Sequence, residues 1–135
     1  MGYFRTENGQ VRDCLEARDN VGQAVCRWTA YEAPNHRGVV GLRLQGFEAG
    51  GPTNQWVGYS QFLPGGGAGP DATPFEKVYV VLEGAMTLVI GGVETMLGPM
   101  DSCTIPTGEV REIVNRSNHV GKLLVVIPYP AKGTP

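Results

Sequence analysis

Short apolar runs of about strand length recur along the chain, separated by glycine, proline, asparagine and aspartate. They read 23-QAVCRWTAY-31, 39-VVGLRLQGF-47, 56-WVGYSQFL-63, 77-KVYVVL-82, 86-MTLVI-90, 93-VETML-97, 102-SCTI-105, 111-REIVN-115 and 122-KLLVVI-127. Valine, isoleucine, threonine and aromatic residues fill them, the composition that suits a pleated, half-buried surface. Glu83-Gly84 and Gly91-Gly92 stand where successive hairpins would turn. The stretch 64-PGGGAGPDATP-74 reads as a Gly/Pro loop within the domain. Its Gly65, Gly66 and Gly67 form a flexible rim rather than a phosphate loop, because no Gly-Lys-Ser/Thr follows and no helix begins there. Only 11-VRDCLEARD-19 has the look of a short helix, and the tail 128-PYPAKGTP-135 is expected to fray. The pattern predicts an all-β sandwich or barrel.

Composition narrows the class. A chain of 135 residues suits one domain with a core of its own, so 1–135 reads as a single domain. Hydrophobic residues at 41% and charged residues at 18% describe a globular protein rather than a disordered one. A net charge of -2, with no basic run, gives no electrostatic reason to expect nucleic acid or an anionic membrane as partner. The three cysteines, Cys14, Cys26 and Cys103, are odd in number and form no C-x-x-C pair. That favours reduced thiols in a cytoplasmic compartment. Cys103, in a predicted strand, reads as a small buried hydrophobe. No apolar run has the length of a signal-peptide core or a membrane span.

Two spaced motifs add a resemblance. Gly65 is followed after five residues by Asp71, then by Thr73, after three more by Lys77, and after six by Gly84. Met100 is followed after five residues by Pro106, then by Gly108, Arg111 and Asn115. This framework resembles the two motifs of the cupin superfamily, G-x5-H-x-H-x3,4-E-x6-G and G-x5-P-x-G-x2-H-x3-N. The spacer 85–99 matches compact single-domain members. The resemblance covers about residues 56–127 and implies a cupin-like antiparallel β-barrel of the jelly-roll type. By the same analogy, segment 1–55 supplies outer strands or a dimer interface, and the partner is a second copy in a homodimer.

The departure is chemical. Family members hold a metal with three histidines and one glutamate; here those positions read Asp71, Thr73, Lys77 and Arg111. Only Asp71 is a reasonable ligand, and a guanidinium has no lone pair to offer. A family-type metal is therefore not expected, nor any other cofactor. His36, in 33-APNHRG-38, and His119, in 115-NRSNHVG-121, read as isolated loop histidines. A metal held by Asp71 with those histidines is the weaker alternative.

The framework spacing directs Lys77 and Arg111 into the barrel, with Glu76 taking the place of Lys77 if the register slips by one. Two converging cations repel by several kcal/mol at an effective dielectric of about 20, so something negative must compensate. The candidates are Asp71, or a small organic anion that Arg111 grips bidentately. Beside that charge Lys77 has a lowered pKa and suits a general base or Schiff-base nucleophile. Tyr79, on the same face, is placed to stabilise an oxyanion. Asp71, Thr73, Gln61 and Tyr59 are the candidate ligand-binding residues.

These residues predict a metal-independent isomerase, lyase or decarboxylase acting on a small carboxylate or carbonyl compound. The alternatives are a non-catalytic binding module or pathway accessory, and an inert barrel plugged by ion pairs to Asp71 or Glu112.

Overall fold

The computed structural model describes residues 25–52 and 54–129. The helix expected over 11–19, Cys14, the first residues of 23–31 and the tail beyond Tyr129 lie outside them. Nine strands form among the described residues. They are β1 (Thr29–Tyr31), β2 (His36–Gln45), β3 (Gln55–Asp71), β4 (Lys77–Glu83), β5 (Met86–Ile90), β6 (Val93–Leu97), β7 (Ser102–Ile105), β8 (Arg111–Val114) and β9 (Gly121–Pro128). Neighbours pair antiparallel in the order β6-β5-β8-β3-β9-β4-β7, and β2 lies along β3 with β1 on its far side. The result is a nearly closed antiparallel barrel of the jelly-roll type: the strand pattern implied a sandwich or barrel, and the family resemblance implied the jelly roll.

Strand β3 makes the closure. Its first part, Gln55 to Phe62, pairs with β9, while Gly67 to Asp71 pairs with β8. The chain turns a corner between Phe62 and Gly67 and so joins both layers. The expected loop over 64–74 is therefore a correction: strand continues to Asp71. Glycine explains it, because Gly66 packs directly on the backbone of Gly38 in β2, where a Cβ has no room. Gly65 to Gly67 are thus strand rather than a flexible rim, with Gly66 and Gly67 in close contact and open space around Gly65.

Glu83-Gly84 also departs from expectation. Gly91-Gly92 does close the β5–β6 hairpin. Glu83-Gly84 instead passes the chain between layers, since β4 pairs with β7 and β9 and β5 with β6 and β8. Gly84 is in the left-handed region (φ 85°), and a Cβ there would come 2.7 Å from the Val120 carbonyl oxygen.

Phe62, Val81, Met86, Leu88, Ile113 and Leu123 fill the space between the layers. Asn115, wholly buried, locks the end of β8 to the corner. Its amide donates to the carbonyls of Phe62 (2.9 Å) and His119 (2.7 Å), and its oxygen accepts from Ser117 N–H (2.9 Å) and Oγ (2.7 Å). No helix among the described residues is long and apolar enough to cross a membrane.

Candidate functional site

Lys77 opens β4, and alternation sends Lys77, Tyr79 and Val81 to one face and Val78 to the other. Lys77 is 4% exposed and Tyr79 3%, whereas Glu76 is exposed. The register thus puts Lys77 inside rather than Glu76. Arg111 opens β8 and is 5% exposed. A one-residue irregularity between Ala68 and Asp71 brings Asp71 opposite Arg111 in the β3–β8 ladder.

These side chains line one cavity of about 210 Å³. Arg111 Nε donates to the Tyr79 hydroxyl at 2.6 Å, while its Nη1 is buried with no hydrogen-bond partner among the described residues. Gly69 makes room for that nitrogen: its φ is 92°, and a Cβ there would sit 2.6 Å from Arg111 Nη1. Lys77 Nζ and Arg111 Cζ lie 5.9 and 5.7 Å from the Tyr79 ring centre. Among the described residues neither cation makes an ion pair; Glu112, a candidate plug, pairs with Arg37 at 2.9 Å instead.

Burial, helped by the nearby Arg111 charge and opposed by Asp71, lowers the Lys77 pKa to about 8. Burial raises that of Tyr79, although Arg111 pulls the other way, so the phenol keeps its proton. Because Tyr79 oxygen accepts from Arg111, its own O–H is free to donate elsewhere.

Asp71 and Thr73 line the same cavity near its exposed edge. Asp71 Oδ1 accepts from Ala72 N–H (2.9 Å), and Thr73 Oγ1 donates to the Phe75 carbonyl (3.1 Å). Tyr59 and Gln61 do not join them. They stand on the other face of β3, where Gln61 Nε2 donates to the Tyr59 hydroxyl at 2.9 Å. The inward face is that of Trp56, Ser60 and Phe62, and the two large apolar side chains were the available signal.

Sequence reasoning also missed Tyr31, His36 and Arg43. His36 is not an isolated loop residue: it starts β2 and lines the cavity. Its Nδ1 lies 2.7 Å from the Pro34 carbonyl oxygen, which can only accept, so the hydrogen sits there and Nε2 keeps a lone pair. Burial lowers the His36 pKa; the Pro34 bond opposes this, and the Arg111 and Lys77 charges add to it. The Arg43 guanidinium lies 4.0, 4.3 and 4.7 Å from the rings of Tyr31, Phe47 and Trp56, with Glu48 at 3.4 Å. Cys103 is only partly buried, and burial raises its thiol pKa.

A metal of the family type does not suit these residues. Two of its four positions carry the cations Lys77 and Arg111, and the Thr73 hydroxyl is engaged with Phe75. Asp71 and His36 share the cavity, but no three potential ligands converge among the described residues.

Fold and site together define a small jelly-roll barrel whose cavity presents the cations Lys77 and Arg111 at two positions of the two-motif framework. The sequence matches the family model of the cupin domain over residues 58–127, and the chain belongs to the cupin family. It is 46% identical over 100 residues to beta-D-galactosidase Rv1717 of Mycobacterium tuberculosis, covering 74% of this chain and 86% of that protein. Its fold is similar to the polyketide cyclase RemF from Streptomyces resistomycificus (TM-score 0.67, 26% identity, 75% of this chain and 73% of that one). It is also similar to a predicted oxalate decarboxylase from Thermotoga maritima (TM-score 0.63, 20% identity, 80% and 95%).

Proposed function

We propose that this protein is a small-molecule enzyme that binds an organic anion of single-ring size and moves a proton on the carbon next to its carboxylate or carbonyl group. The observation that carries the reading is the buried Arg111 guanidinium, whose Nη1 lacks a partner beside the equally buried Lys77. A carboxylate would satisfy that nitrogen and, with its single charge, offset that of Arg111. Size supports one ring: a cavity of about 150 Å³ holds benzene, and this one is about 210 Å³.

The neutral Lys77 amine takes the proton, and the C–H electron pair moves into the carbonyl system as an enolate. Arg111 and the Tyr79 O–H hold the new oxyanion. Returning the proton to a neighbouring carbon is an isomerisation, while expelling a group from that carbon is an elimination. Decarboxylation fits less well, because it removes the group that Arg111 holds. The test is exchange of the adjacent C–H in deuterated water across hydroxy- and keto-acids, followed by NMR. Exchange that Lys77→Met abolishes supports the reading; no exchange in the wild type, or equal exchange in the variant, overturns it.

A second reading, β-D-galactoside hydrolysis, is favoured by the 46% identity to the mycobacterial protein. Hydrolysis by paired carboxylates would need Asp71 to act with Glu32, which lines the adjoining cavity. Colour release from para-nitrophenyl β-D-galactoside, lost in both Asp71→Asn and Glu32→Gln, supports it. No release refutes it.

A further inference from the structure

A second cavity of about 170 Å³ adjoins the first and shares Tyr31, Ala33, His36 and Ser60 with it. Its own lining adds Glu32, Val39 and Gly41. The two spaces differ in charge. The inner one holds Lys77 and Arg111, with Arg43 as a third cation at its aromatic end. Among the described residues the outer one has no lysine or arginine in its lining, and it carries the carboxylate of Glu32. The shared wall is made of groups that suit a polar bond: the Ser60 hydroxyl, the Tyr31 phenol and the Nε2 lone pair of His36. Burial raises the Tyr31 pKa, against the pull of Arg43, so that phenol stays a donor.

We infer that the outer cavity is a second subsite, and that the ligand is a two-part glycoside: an acidic sugar ring inside and an uncharged ring outside, joined beside His36. This rests on the anion reading of the inner cavity and extends it. An acidic outer group would meet Glu32, whereas an uncharged one meets a hydroxyl, a phenol and an imidazole. Each cavity is of one-ring size by the same benzene comparison, so neither holds both rings alone. His36 is then a positioning or proton-carrying residue at the joining bond, its tautomer fixed by Pro34.

The experiment is NMR titration of the isotope-labelled full chain with three probes: D-glucuronate, para-nitrophenyl β-D-glucuronide and para-nitrophenyl β-D-galactoside. Glucuronate is expected to shift signals of Lys77, Tyr79 and Arg111 and to leave Glu32, Val39 and Gly41 unmoved. The glucuronide is expected to shift both sets and to bind about ten-fold more tightly, the effect of one good contact region. Val39→Trp, which fills the outer cavity, should remove that ten-fold gain without weakening glucuronate. Silence of Glu32, Val39 and Gly41 with all three probes overturns the inference, whatever the inner set does. Shifts of the outer set alone, with Lys77 and Arg111 silent, refute the anion reading and with it the two-part acidic ligand, and leave only a binding site in the outer cavity.

Discussion

In the proposed reading Lys77 and Arg111 carry most of the chemistry, because each is held nearly out of water and neither makes an ion pair among the described residues. A lysine whose folded pKa is about 8, against an ordinary 10.5, is destabilising in its charged form. The unfolded chain binds the extra proton between those two values, so stability should rise with pH across that window and show the full penalty below it. Lys77→Met should therefore stabilise the protein at pH 7 by about 1–3 kcal/mol, the range for replacing a buried charge by an apolar group. The gain should shrink towards pH 10, and urea unfolding at the two pH values checks it. Turnover should also rise, through about pH 8 as Lys77 loses its proton, and should vanish in the variant. The spacing to Gly84 favoured Lys77 over Glu76 without deciding between them, the motif offsets led to Asp71, Thr73 and Arg111, and alternation along the strand led from Lys77 to Tyr79. His36, Tyr31 and Arg43 were not legible. They reach the cavity through pairing of β2 with β1 and β3, which no local spacing records.

At the scale of elements, the corner of β3 decides the architecture. The strands β5, β6 and β7 fall where the apolar runs predict, because glycine or proline bounds each of them closely. The corner itself was hidden: Gly66 and Gly67 look like loop residues in the sequence and serve as close-contact strand residues in the fold. Gly69→Ala should be costly, since the new Cβ meets both the Arg111 carbonyl and its Nη1 in a left-handed backbone. A loss of about 2 kcal/mol or more in chemical denaturation, with weakened anion binding, is expected. Asn115→Ala removes four hydrogen bonds that tie β8 to the corner and to the turn before β9. Leaving those buried groups unpaired should cost about 2–4 kcal/mol by the same measurement. A loss within half a kcal/mol, about the range of a surface change, would show that the corner holds without Asn115.

For the molecule as a whole, the barrel keeps the family fold, and the guest proposed for it is an anion rather than a cation. A chelator or added divalent metal should leave the melting temperature unchanged, since Lys77 and Arg111 occupy ligand positions. A large drop on chelation would contradict that account. A bound ring carboxylate at a hundred times its Kd should stabilise the fold by about 2.7 kcal/mol, and Arg111→Gln should abolish the effect. The most direct measurement is a high-resolution crystallographic map of the cavity after soaking with D-glucuronate. The account predicts a carboxylate on Arg111 Nη1, with the Lys77 ammonium facing the same ligand. A cavity without ligand, in which Lys77 or Arg111 has turned to form a packed ion pair with Asp71 or Glu112, would contradict it.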